Sequence, residues 1–288
     1  MKWINNLLMK NNLLALFLLV SVTARTQYYY KDILGTGETN NLLKTYTIKK
    51  VKSVSLKSFD PDGSLSNGFF VEQVMDSRNR VLKTITKSGV TDESTLSTWF
   101  DEAVRVIKTS DTSATSINTA LYSYDSQGRL LSLKNFSGDT SRKNIEMEEH
   151  QWSYNSSGQP AQMLRIINTT DTTIFKFVVD ENGNITQETI YKKGKAGDPV
   201  YYYYNDKKQL TDIVRYNYKL KKLLPDYMFE YSDAGYIIQK ITVPSNKASD
   251  YLIWRYQYDD KGLKVKEALF NKDKQLTGKI EYSYQYGD

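Results

Sequence analysis

The 288-residue chain contains no cysteine and one histidine. Without cysteine there are no disulfides, no thiolate metal sites, no cysteine nucleophile and no lipidated cysteine to tether a lipoprotein, so packing and hydrogen bonds must supply the stability. With His150 alone, no second imidazole is available for an acid–base pair, and the chain carries neither a glycine-rich phosphate loop nor a serine-centred nucleophile elbow. Long apolar runs are missing too. The longest, LLALFLLVSV (13–22), is about half the ~20 residues that a membrane-spanning helix needs. Lys2 and Lys10 precede it and Val22-Thr23-Ala24 follows, which is the layout of a cleaved secretory signal over residues 1–24. Its removal lowers the formal charge from +6 to +4. An excess that small, with lysines scattered through turns, does not make the continuous basic stripe that nucleic acid requires.

What the sequence has in quantity is tyrosine, 23 residues, arranged periodically. In YSYDSQGRL (122–130) two aromatics alternate with a polar residue, then come Asp125 and, three residues on, Gly128. The same order recurs at intervals of about 26 residues. The slot of Tyr124 is filled by Met75, Phe100, Tyr124, Tyr154, Val179, Tyr204, Tyr231, Tyr258 and Tyr284. The next residue is a short side chain able to accept from the backbone, and three further on the unit has Gly128, Gly158, Gly183, Gly235 or Gly262, with Asn79, Val104 and Lys208 in the remaining units. This is the chemistry of a hairpin whose type I turn ends in one residue at positive φ. It predicts that Tyr124 faces Leu130, Val179 faces Ile185, Tyr204 faces Leu210 and Tyr231 faces Ile237. The intervening Ser123, Ser153, Lys176, Glu230, Gln257 and Ser283 then lie on an opposite, polar face.

The expected fold is therefore all-β: an antiparallel meander of about eight β-hairpins over residues 73–288, forming one curved, extended sheet, preceded by an N-terminal β cap over 25–72. Residues 91–108 fit the phase as a hairpin, although Leu96, Trp99, Phe100, Ala103, Val104 and Ile107 also fall at helical spacing.

The units YSYDSQGRL, WSYNSSGQP, FEYSDAGYI and YQYDDKGLK resemble YD repeats, the units of Rhs and teneurin-like proteins. The resemblance covers about residues 70–288 and implies hairpins that spiral into a β-sheet shell. With eight units and no room after them for a toxin domain, the chain is similar to short secreted YD-repeat-like proteins of the Bacteroidetes type. The resemblance implies export and a fold, and no reaction.

Three functions follow as expectations. The first is an exported, non-catalytic envelope or extracellular binding module, without cofactor or metal, whose partner is a cell-surface glycan or an envelope protein. Tyr201 and Tyr203, pointing away from the core slots, would form its binding patch with Arg215 on the same side. The alternative is an outer-membrane β-barrel, since a hairpin every 26 residues suits one. Against it stand Gln162, Gln187, Asp212, Gln239 and Lys266, expected on the aromatic face, where charge would meet lipid. The third is a secreted glycan-processing enzyme. Its best residues, Glu146, Glu148 and His150, alternate along one strand face at an expected solvent-exposed end, a spacing that is not diagnostic of a metal.

Overall fold

The computed structural model describes residues 27–89, 91–141, 145–244 and 250–287; the expected signal segment lies outside them. Among these residues nineteen strands form a single antiparallel sheet in which each strand but one pairs with its successor in the chain. The sheet closes on itself. Strand Val51–Phe59 pairs with Phe70–Asp76 on one side and with the last strand, Leu276–Tyr286, on the other, through pairs such as Val54 with Tyr284 and Lys57 with Glu281. The two-residue strand Lys195–Ala196 lies beside Ile185–Lys192 only, which itself pairs onward with Val200–Tyr204, so the ring has 18 strands. The expectation of an open, extended sheet is thus corrected to a closed β-barrel. One wall strand from outside the recognised repeats, Val51–Phe59, pairs on both sides and so removes both edges.

The hairpin tips match the sequence chemistry. Gly128, Gly158, Gly183, Gly235 and Gly262 all have φ between 74° and 86°, with Val104 at 57° and Lys208 at 59° in the same slot. In the Asp125 turn the carboxylate Oδ1 accepts from the amides of Gln127 and Arg129, both at 2.9 Å, while Gly128 N–H donates to the Asp125 carbonyl at 3.0 Å. Residues 91–108 form strands Thr91–Phe100 and Val106–Thr112 and not a helix, so Val104 accepts the left-handed backbone that its neighbours assign to glycine. One tip departs: in the first unit Arg80, not Asn79, takes positive φ. The pairs Tyr124–Leu130, Val179–Ile185, Tyr204–Leu210 and Tyr231–Ile237 are all present.

Each of these pairs is followed by a β-bulge. The next pair beyond Tyr154–Pro160 is Ser153–Gln162, so one extra residue sits on the return strand. That residue inverts the alternation of faces. Gln162, Gln187, Asp212, Gln239 and Lys266 consequently stand opposite Ser153, Val178, Tyr203, Glu230 and Gln257, on the outward face and not beside the aromatics as expected. The wall is one-sided in the sense the sequence implied, with aromatic and branched side chains inward and mainly polar ones outward.

Slot tyrosines also tie hairpin to hairpin. Tyr124, Tyr154, Tyr204, Tyr231, Tyr258 and Tyr284 each donate from Oη to the carbonyl that opens the preceding unit's return strand, at 2.7–3.0 Å. This explains why the slot favours tyrosine over phenylalanine.

An 18-stranded ring encloses a bore too wide for wall side chains alone to fill. Of the expected N-terminal β cap, residues 51–59 do form a strand, in the wall, while residues 27–48 are instead a helical filler. Residues Tyr29–Leu34 form a π-helical turn that continues into the α-helix Gly35–Ile48. Tyr28, Tyr29 and Tyr30 pack among Trp152, Phe175, Tyr202 and Phe229, while Leu43 and Tyr46 pack against Val54, Val71, Met75 and Ile280. The sequence of residues 28–48 carries little helical signal, because the segment is rich in threonine, asparagine and tyrosine and lacks a marked apolar stripe. Its helix is stabilised by packing, not by propensity.

Candidate functional site

Wall and plug meet in two polar networks inside the barrel. At the start of the plug, Glu188 lies on strand Ile185–Lys192 and is 1 % exposed. Its carboxylate accepts from the amides of Gln27, Tyr28 and Tyr29 at 2.9–3.1 Å and from Tyr202 Oη at 2.8 Å. A carboxylate on three free amides is the standard complement to a helix N-terminus. Burial pushes the Glu188 pKa up, opposed by the hydrogen bonds from Tyr202 and the three amides. Beside it Gln27 Nε2 donates to Asp226 at 2.5 Å, and Asp226 also accepts from Arg215 Nε at 2.6 Å.

The second network runs from Asp32 on the plug to the wall. Asp32 Oδ2 lies 2.6 Å from His150 Nδ1 and accepts from Trp152 Nε1 at 3.2 Å. His150 Nε2 is 2.8 Å from Glu148 Oε1, and Glu148 is in turn bound by Arg165 Nε at 2.8 Å. Burial alone would lower the His150 pKa, but the charge and hydrogen bond of Asp32, together with Glu148, raise it to about 9. For Glu148 burial acts upward and is outweighed by the His150 and Arg165 contacts, which bring it to about 2. His150 is therefore an imidazolium held between two carboxylates, not the solvent-exposed side chain expected from sequence. The sequence placed Glu148 and His150 on one face, but could not place Asp32, 118 residues away, against them.

The three residues expected to form a binding patch separate. Tyr201 and Tyr203 lie on the outward face, opposite Val214 and Asp212, and Tyr203 is 47 % exposed. Arg215 pairs with the lumenal Val200 and points inward to Asp226. The bulge between Tyr204 and its partner strand, which sequence phase alone did not register, accounts for the difference.

The plug leaves part of the bore open. Between one side of the α-helix and the wall is a cavity of about 720 Å³, bordered by Glu38, Tyr30, Lys240, Tyr256, Lys264 and Glu267 among others. Burial lowers the Lys240 pKa and raises that of Glu38. Among the described residues, no cluster of His, Asp and Glu has the geometry to hold a metal, and no helix is long and apolar enough to cross a membrane.

No family model and no curated protein matches the chain. Solved structures similar in part include a porin-like protein from Bacteroides uniformis, 10 % identical over 82 % of this chain and 97 % of that one, with a TM-score of 0.41. A second porin-like protein, from Bacteroides vulgatus, is 10 % identical over 82 % and 98 % with a TM-score of 0.21. A Tc holotoxin pore from Photorhabdus luminescens is 12 % identical over 75 % of this chain and 12 % of that one, at 0.35. At these scores no argument rests on them. Closure of the chain's own sheet carries the assignment: this protein is an all-β, 18-stranded antiparallel barrel.

Proposed function

We propose that the protein is an exported β-barrel of the bacterial cell envelope, built from YD-repeat-like hairpins and sealed by its own N-terminal segment, which binds and neither conducts nor catalyses. The closed ring agrees with the barrel geometry of the outer-membrane alternative and not with an open interaction module. The observation that carries the sealed reading is the plug: residues 27–48 run inside the bore and are fixed there by Glu188 and by the Asp32–His150 pair. A non-catalytic role is supported by the same contacts, since both ring nitrogens of the only histidine are held by carboxylates.

The outward face refines where such a barrel stands. Lys57, Glu72, Lys134, Lys176, Arg255 and Glu281 occupy outward positions in mid-strand, and a Lys or Arg at mid-depth in lipid costs about 2–4 kcal/mol. Outward Ile166, Ile174, Ile241 and Phe270 are interrupted by these charges, so among the described residues no uninterrupted apolar band encircles the wall. We therefore place the wall in the aqueous envelope. Expression with its own leader, followed by osmotic shock and membrane fractionation, tests this: the expected result is release without detergent and no conductance in planar bilayers. Heat-modifiable migration confined to the outer-membrane fraction would put the wall in lipid.

A further inference from the structure

The cavity beside the helix holds two pairs of opposite charges, and they are treated differently. Lys264 Nζ donates to Glu267 Oε1 at 2.5 Å, and Tyr282 Oη donates to the same oxygen at 2.6 Å, so that pair consumes itself. Lys240 and Glu38 do not. Neither makes a hydrogen bond or an ion pair within 4.0 Å to any described residue. The Lys240 ammonium instead faces rings, 5.1 Å from the centroid of Tyr227, 5.7 Å from Tyr30 and 6.0 Å from Phe229. Glu38 projects from the first turn of the helix into the same space and is exposed there.

An ammonium and a carboxylate that attract each other across a partly open space without a direct hydrogen bond are available to a guest carrying the opposite charges. Ring contacts favour the Lys240 charge, and the Lys240 and Lys264 ammonium groups favour the Glu38 carboxylate. The volume lies within the roughly 300–1,000 Å³ of small-molecule sites, and the lining combines aromatic walls with a few polar groups, as such sites do. The complementary guest carries both charges at its two ends with an apolar body between them.

We propose that the lumenal cavity is a binding site for zwitterionic ligands of the short-peptide class. The ligand carboxylate lies on Lys240, its ammonium on Glu38, and its side chains lie among Tyr30, Tyr256 and Phe229. The aromatic rings contribute most of the contact area, and the two charges set polarity and length. This deepens the reading of the plugged lumen as a binding chamber and rests on it.

Isothermal titration of the purified barrel with glycyl-L-phenylalanine, its N-acetyl form and its C-terminal amide tests the assignment. The free dipeptide is expected to bind about tenfold more tightly than either capped form. Lys240→Met is expected to abolish discrimination between acid and amide, and Glu38→Gln that between free and acetylated amine. No saturable binding at millimolar dipeptide, or equal binding of all three ligands to the wild type, would overturn it. The capped-ligand comparison uses only the unmodified protein, so it decides even where a variant fails to fold. Release without detergent together with absent dipeptide binding would remove this inference and leave the sealed envelope barrel standing.

Discussion

The hairpin tips and the plug are stabilised in opposite ways. At a tip every decisive contact is local: Asp125 binds the amides two and four residues on, and Gly128 closes the turn. In the plug every decisive contact is remote, with Gln27, Asp32 and Tyr29 bonding to partners between 118 and 199 residues away. Damage at one tip should therefore cost a single turn, while damage at a plug contact should strand several buried groups together.

The sharpest test of that contrast is Glu188→Ala. It strips the acceptor from three backbone amides and the Tyr202 hydroxyl, all in a dry interior. At ~1–3 kcal/mol for each unsatisfied buried group, partly relieved by water entering the space, a loss of about 3–5 kcal/mol is expected. Urea denaturation gives the loss, and limited proteolysis should cut within 27–48 before the wall. A loss below about 1 kcal/mol with the plug still protected would mean that the segment is held by its rings alone.

The Asp32–His150–Glu148 network makes the plug sensitive to pH on both the acid and the alkaline side, whereas the tip carboxylates Asp125 and Asp180, held below the usual range by backbone hydrogen bonds, respond on the acid side. His150 titrates near 9 in the fold against 6.5 in the unfolded chain, so its contribution is complete below 6.5 and disappears as pH rises through 9. Glu148 titrates near 2 against 4.5, so its contribution is complete above 4.5 and fades as pH falls through 2. The network is thus strongest between about 4.5 and 6.5. Stability measured against pH should fall by on the order of 3 kcal/mol between pH 6 and 10 from His150, and His150→Gln should remove most of that alkaline slope. A slope unchanged in the variant would assign it to other groups.

This comparison also separates what was legible in the sequence from what was not. Asp125, Gly128 and their counterparts could be read because a turn is decided within five residues, and even Val104, a poor residue for positive φ, was placed correctly by phase. The return strands were misread in one respect. A bulge costs one residue and leaves no mark in composition, yet it turned Gln162 and Lys266 outward and Arg215 inward. Closure was not legible either, since pairing of Val51–Phe59 with Leu276–Tyr286 joins the first and last strands, more than 200 residues apart. The plug left the weakest trace. Its one available signal was Tyr28-Tyr29-Tyr30, three aromatics out of phase with the repeat, whose partners belong to four different hairpins.

At the tips the expected effects are smaller. Gly158 sits at φ 81°, and an added Cβ would meet Arg129 Nη1 at 3.3 Å, the end of a flexible side chain. Gly158→Ala should then cost about 1–2 kcal/mol, mainly from the left-handed backbone. Lys208→Gly runs the other way at φ 59°. Relief of that backbone cost is partly offset by about 0.4–1 kcal/mol of added freedom in the unfolded chain, for a net gain of about 0.5–1 kcal/mol. Thermal midpoints moving in opposite directions for the two variants would verify the slot, whereas a shift of the same sign would remove it.

An effect of similar, small size separates tip from tip. Tyr154→Phe keeps the ring and deletes only the 2.7 Å bond to the Leu130 carbonyl. A loss of about 1 kcal/mol is expected, within the usual range for one hydrogen bond, with the carbonyl left to water at the half-buried tip. Phe100 and Val179 fill the same slot with no hydroxyl, so their hairpins provide an internal control. Amide exchange should speed up across the seam between the Asp125 and Asn155 hairpins in the variant and stay unchanged around Val179. If exchange were instead uniform around the ring, the slot hydroxyls would not be what joins neighbouring hairpins, and closure would depend on the backbone ladder and the plug alone.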